Sequence, residues 1–328
     1  MSVPSPVLAR FEEQLGRWLS RFGGDSPVYE MVAYHFDLAG AGQRGKRLRP
    51  QLCLLVAEAE GARVEAAFDA AVAVELLHNF SLIHDDIEDN DRLRHGRATV
   101  WARYGVGHGI NAGDALCSMA YLALLENAAR LPEERVIVMS RLLHEAQLQM
   151  CAGQALDMAF ETAPAVDPGA YLQMIEGKTA ALFRATARMG AVAAGAAVER
   201  VDAYGEMARR YGLAFQIQDD LLGIWGRSEE TGKPSLADLR KRKWTYPVVW
   251  GIAAGAGAVE ALYRTGAGLD QGQAEQARLT LERAGAREAA QAALDRYLGE
   301  AEAIARECGL DRDGAVRTFL AQGGRRSA

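Results

Sequence analysis

Proline placement most narrows the folds open to this chain. The nine prolines stand at positions 4, 6, 27, 50, 132, 164, 168, 234 and 247, so 51–131 and 248–328 contain none. A proline inside a helix costs about 3 kcal/mol. Long stretches that avoid it, rich in Ala, Leu, Glu and Arg, are therefore expected to be helical. Much of the glycine falls at 22–26, 39–45 and 226–233, where helices would end. In 62–84 apolar residues cover most of a helical circumference, which predicts a central buried helix. The segments 133–163, 170–195 and 201–225 read as further long helices. No alternation of period two is long enough to suggest a sheet, and no Gly/Ser-rich linker or charge block marks a boundary. The expectation is an all-α, single-domain bundle over 1–328, with the N-terminal helix region 1–25 and the tail 320–328 peripheral.

Composition trims the possible functions. Of 328 residues 49% are hydrophobic, enough for a sizeable core. The net charge of -6 argues against a nucleic-acid partner, though not against a local basic pocket for an anion. No uninterrupted apolar run reaches the ~18–20 residues of a membrane span, and the N-terminus has no apolar core of signal-peptide length. Cys53, Cys117, Cys151 and Cys308 form no CxxC pair, so they are expected to be buried, reduced thiols of a cytoplasmic protein.

The chemistry gathers at two acidic helix ends. Asp85-Asp86-Ile87-Glu88-Asp89 follows an almost wholly apolar run, and Asp85 and Asp89 are four apart, on one helical face. Asp219-Asp220 ends a second apolar run, GLAFQIQDD. Like charges at such spacings repel, so carboxylates leaving the core together call for a cation. Hard oxygen ligands suit Mg²⁺, which is completed by water and substrate phosphates. Two such sites could face each other across a helical bundle. Basic residues are interleaved with the acids: Lys46 and Arg49 in GKRLRP, then Arg92, Arg94, His95 and Arg97, then Lys178, Lys233 and the run Arg240–Lys243. Any one of these is an ordinary solvated patch. Acid and base clusters alternating along one helical chain suit a diphosphate pocket with several magnesium ions.

With these motifs in order, the sequence resembles the trans-isoprenyl diphosphate synthases, or polyprenyl synthetase family. The resemblance runs from about Gly45 to Val249. It rests on GKRLRP at 45–50, DDIED at 85–89, GKT at 177–179, FQIQDD at 215–220 and GKPSLADLRKRKWTYP at 232–247. It implies a bundle of long helices around a central cavity. It also implies condensation of isopentenyl diphosphate with an allylic diphosphate (dimethylallyl, geranyl or farnesyl). By resemblance Asp85 and Asp89 bind two Mg²⁺ and Asp219 a third. Arg94, Lys178 and Lys233 hold the allylic diphosphate, with Lys243 nearby. Gly45, Lys46, Arg49 and His78 hold isopentenyl diphosphate. Thr179 and Gln216 line the reacting centre, and Asp86 and Asp220 orient their neighbours. A homodimer is implied as well.

Two positions depart from the family pattern. The usual arginine pair after the first motif reads Arg94-His95 here, and His95 lacks the guanidinium fork for isopentenyl diphosphate. The second motif ends in Gly223 where an aspartate is usual, but Asp219 remains, so activity is expected to survive. Phe80 and Ser81, five and four residues before Asp85, occupy the chain-length positions, and by resemblance they favour a C20 product over C15. The alternatives are a class I terpene cyclase or irregular prenyl-coupling enzyme, which would need no GKRLRP segment, and a non-catalytic partner subunit, which would be expected to lose its aspartates.

Overall fold

A computed structural model describes residues 6–24, 26–38, 45–226, 236–264, 268–310 and 314–324. It is all-α among these residues, apart from one short hairpin, as the proline pattern predicts. The chain forms two compact units. One comprises Met1–Glu145 with Ala185–Tyr204, the other Ala146–Arg184 with Gly205–Ala328.

The first unit begins with α1 (Pro6–Ser20), α2 (Pro27–His35) and α3 (Leu48–Ala59). A short 3₁₀ turn then leads into α4 (Phe68–Glu88). Proline at the first position of α2 fits there because that N–H has no helical partner to lose. α4 is the expected central helix: Ala70 to Leu77 are all fully buried, apart from Glu75 at 3% exposure. The segment Val64–Glu88 is long and apolar enough to cross a membrane. However, 72% of its apolar window is buried inside the protein, as in a core helix. Each fully buried leucine there contributes roughly 1.5–3 kcal/mol.

β1 (Leu93–Arg94) pairs antiparallel with β2 (Arg97–Ala98). The two turn residues between them, His95 and Gly96, have φ of 51° and 77°. Two successive positive φ values belong to the tight turns that match strand twist. This hairpin is absent from the sequence-based reading, because two-residue strands carry no periodic signal. α5 (Val100–Tyr104) and α6 (Val106–Leu125) follow. α6 packs closely on α4 because its contact positions are small. A Cβ on Gly109 would lie 2.9 Å from Ile87, and one on Gly113 2.2 Å from the His84 ring.

α7 (Glu133–Glu161) is the longest helix. In the second unit α8 (Pro168–Ile175) is capped by Asp167, whose carboxylate accepts from the N–H groups of Gly169 and Ala170. A π-helical turn, Glu176–Ala180, separates it from α9 (Ala181–Ala194), and α10 (Val198–Trp225) follows, with Ala185–Tyr204 belonging to the first unit. α11 (Ala237–Arg240), α12 (Tyr246–Ala253), α13 (Gly257–Tyr263), α14 (Gln271–Arg283), α15 (Ala286–Glu307) and α16 (Ala315–Gly324) complete the chain. The core of this unit joins Tyr171, Met174, Ile217, Leu221, Val248 and Leu281.

The cysteines differ from expectation. All four are thiols, but only Cys53 is buried, where desolvation pushes it up to about 12. Cys151 and Cys308 are exposed because they fall on the outer faces of α7 and of the end of α15.

Candidate active site

The two acid pairs share a construction, each within its own unit. In the first, Asp86 is 2% exposed and receives Arg94 through Nε at 3.0 and 3.1 Å and through Nη2 at 2.8 Å. Burial raises its pKa against the opposing pull of Arg94. Its neighbours Asp85 and Asp89 stay partly exposed. Asp89 closes α4, its N–H bonded to the Asp85 carbonyl at 2.8 Å. Thr99 Oγ1 and Trp101 Nε1 both donate to the Asp91 carbonyl, at 2.9 Å each, and so pin the chain that leaves the motif.

In the second unit Asp220 is 4% exposed. The Tyr171 hydroxyl, the Tyr246 N–H (2.8 Å) and Gln216 Nε2 (3.2 Å) all donate to it. Burial nonetheless raises its pKa to about 7, against those three hydrogen bonds. Asp219 beside it is partly exposed. In each pair, then, one inner acid is buried and saturated by protein donors, while the outer acids remain accessible.

Lys178 and Thr179 lie on the π turn, a feature common at functional sites. Lys178 Nζ meets Asp157 at 2.6 Å, and Thr179 Oγ1 donates to Gln216 Oε1 at 2.7 Å. The turn rests directly on α7. A Cβ on Gly153 would lie 2.2 Å from the Lys178 nitrogen, and one on Gly177 2.7 Å from the Gln149 carbonyl. Gly223 is equally committed, since its absent Cβ would fall 1.8 Å from Asp238 Oδ2. The Lys243 N–H donates to the Asp238 carbonyl at 2.8 Å.

In the basic segment Gly45 and Lys46 are exposed. Arg49 Nη1 donates to His78 Nε2 at 3.1 Å. Burial, and then the Arg49 charge, hold His78 well below its ordinary pKa, so its ring is neutral and accepts from Arg49. His95 sits exposed at the hairpin tip. The Phe80 ring packs edge-on against His84 with centroids 4.7 Å apart, and Ser81 Oγ donates to the His78 carbonyl at 2.8 Å. Lys233 lies outside the described residues.

Within the first unit the structure thus joins Arg94 to Asp86 and Arg49 to His78. Within the second it joins Thr179 to Gln216. Asp157, Tyr171, Asp238 and Gly153 support the site residues and were not found from sequence. Asp157 carries no mark that sets it apart from other polar residues of α7. Asp238 falls inside the GKPSLADLRKRKWTYP motif and was within reach. Among the described residues no three or more His, Cys, Asp or Glu side chains converge on one metal position. Oxygen donors in ones and twos fit Mg²⁺, which takes few carboxylates and keeps positions for water and phosphate.

The polyprenyl synthetase family model matches residues 28–279. A (2E,6E)-farnesyl diphosphate synthase of Mycobacterium tuberculosis H37Rv is 43% identical over 261 residues, covering 77% of this chain and 72% of that protein. A geranylgeranyl diphosphate synthase of the same strain is 38% identical over 295 residues, covering 88% and 82%. Among solved structures, a geranylgeranyl pyrophosphate synthase superposes with TM-score 0.89 at 30% identity, covering all of both chains. A polyprenyl synthetase from Streptomyces coelicolor A3(2) superposes with TM-score 0.86 at 34% identity, covering 98% of each chain.

Proposed function

The chain belongs to the polyprenyl synthetase family, and on that premise we propose that it condenses isopentenyl diphosphate with an allylic diphosphate to give a short-chain all-trans prenyl diphosphate, C20 ahead of C15. It is a transferase. The supporting observation is the shared construction of the two acid pairs, in which Asp86 and Asp220 are consumed by protein donors and Asp85, Asp89 and Asp219 stay accessible.

Asp85 and Asp89 would hold two Mg²⁺ and Asp219 a third, and metal bound there would supply positive charge to offset that of the departing diphosphate. Lys178, Lys233, Lys243 and Arg94 hold the allylic diphosphate. Gly45, Lys46, Arg49 and His78 hold isopentenyl diphosphate, with His95 beside them. Cleavage of the allylic C–O bond leaves a carbocation, which the isopentenyl double bond attacks. The proton then lost passes to the diphosphate, so no side-chain base is required. Thr179 and Gln216, fixed to each other at 2.7 Å, line the reacting centre. Arg94 and Lys178 each carry an acidic partner in this structure and exchange part of that pairing for phosphate oxygens when substrate arrives.

The chain acts as one catalytic domain, in the cytoplasm, as a homodimer. Support for the dimer comes from α6, which exposes Val106, Ile110, Leu122 and Leu125 at 43–56%. The test is incubation with labelled isopentenyl diphosphate, Mg²⁺ and each allylic primer in turn, followed by dephosphorylation and chain-length chromatography. Labelled C20 or C15 alcohol that vanishes with EDTA is expected. Hydrocarbon released from an allylic diphosphate alone would instead mean a cyclase.

A further inference from the structure

Arg47 stands between the two basic residues assigned to isopentenyl diphosphate, yet it is buried. Its side chain is 8% exposed, whereas Gly45 and Lys46 face solvent. Nε donates to Glu12 of α1 at 2.7 Å, and Nη1 donates to Glu75 of α4 at 2.6 Å. The Phe36 ring lies 5.9 Å from the guanidinium. The backbone at Arg47 is left-handed, with φ 49° and ψ 37°, a conformation unfavourable for a residue with a side chain unless the surroundings impose it.

Glu75 needs explaining in its own right. It sits at 3% exposure inside the most apolar stretch of the chain, where a lone carboxylate is costly. It accepts from Arg47 and, at 2.9 Å, from Asn79 Nδ2. Asn79 Oδ1 in turn bonds His35 Nε2 at 2.9 Å. One turn further along α4, His78 accepts from Arg49. Glu75 and His78 are three apart and so share a helix face. Two neighbouring positions on α4 therefore grip Arg47 and Arg49, and Gln51 Nε2 ties the Lys46 carbonyl at 2.6 Å. The segment is registered on α4 by Arg47, between the anion-binding residues, and by Arg49 itself.

We propose that Arg47, clamped by Glu75 and Glu12, is a positioning residue for isopentenyl diphosphate: it touches no substrate and holds Lys46 and Arg49 where they can take the diphosphate together. This rests on the assignment of Lys46 and Arg49 made above. The clamp has a second effect. Loss of Arg47 would remove the positive charge that faces Glu75 and Glu12 beneath a site that must receive an anion.

The test uses full-length Glu75→Gln, Glu12→Gln and Arg47→Lys, with Lys46→Ala as benchmark. KM is measured separately for isopentenyl diphosphate and for the allylic substrate, alongside kcat and thermal stability. KM does not depend on the fraction of folded enzyme, so lost stability alone leaves it unmoved. Glu75→Gln and Glu12→Gln are expected to raise KM for isopentenyl diphosphate about tenfold, with allylic KM within twofold. Arg47→Lys, which keeps the charge but loses the fork, is expected to fall between them and the native chain. Glu12 is the more exposed partner at 19%, so its variant carries the test if Glu75→Gln does not fold. Unchanged isopentenyl KM in the folded variants, or equal rises in both KM values, overturns the proposal. If Lys46→Ala also leaves isopentenyl KM unchanged, it is the assignment of the anion site that fails.

Discussion

Replacing Gly153 by alanine should damage catalysis more than stability. The new Cβ would sit 2.2 Å from the Lys178 nitrogen and 2.8 Å from both Lys178 Cα and the Gly177 carbonyl carbon. Ordinary contact begins near 3.4 Å, so α7 and the π turn must part by about 1 Å. Both atoms sets are backbone, and no side chain can swing aside. Overpacking of this kind costs roughly 1–3 kcal/mol, partly offset by the ~1 kcal/mol helix preference of alanine over glycine. The net loss is then about 0–2 kcal/mol. A displacement near 1 Å in groups that position substrate can cost about 10²-fold in rate. Lys178 and Thr179 ride on the displaced turn, so kcat should fall by that order while the protein still folds. Gly299→Ala in α15 is the control. Nothing lies within 4 Å of its Cβ, and it should gain up to about 1 kcal/mol with unchanged kcat. Steady-state kinetics and thermal unfolding on both variants suffice. A Gly153→Ala enzyme with native kcat and native melting temperature would refute the reasoning.

Gly223→Asp restores the acid usual in the family, yet it should lower activity at least tenfold, because Asp238 Oδ2 already lies 1.8 Å from the new Cβ. Adding Asp238→Gly should recover part of the loss, and a gain in activity from the single change would contradict this packing. His35 is held at about 4, chiefly by burial and against its hydrogen bond to Asn79. The unfolded chain therefore binds a proton there between pH 6.5 and 4 that the folded chain refuses, so stability falls as pH drops through that window. His35→Gln should flatten the acid limb of a plot of melting temperature against pH, and identical slopes would remove His35 as a cause. Phe80→Ala should lengthen the product by one or more C5 units in the chromatographic assay, whereas an unchanged distribution would leave Phe80 as packing against His84 alone.

The helices were legible because their signals are local. Proline gaps, the apolar circumference of α4 and the acids at its end depend only on neighbours in sequence. The acidic runs at 85–89 and 219–220 and the basic GKRLRP segment stand out in sequence for the same reason. What sequence did not disclose is long-range pairing. Glu75 reads as one charge in an apolar run until Arg47, 28 residues earlier, is seen against it. Asp157 acquires a role only through Lys178, 21 residues on. Gly153 and Gly177 look like ordinary helix weak points, and only the contact between their backbones shows why no side chain fits. The His95-Gly96 hairpin was hidden by its brevity, although a polar residue before glycine is the usual mark of such a turn.

The division of labour inside each aspartate pair bears on how the enzyme cycles. Asp86 and Asp220 are held by Arg94, Tyr171 and the Tyr246 backbone through bonds that involve no metal ion. On the proposed reading, a product that took magnesium away with its diphosphate would strip only Asp85, Asp89 and Asp219. The next substrate would then meet inner acids already held by protein donors.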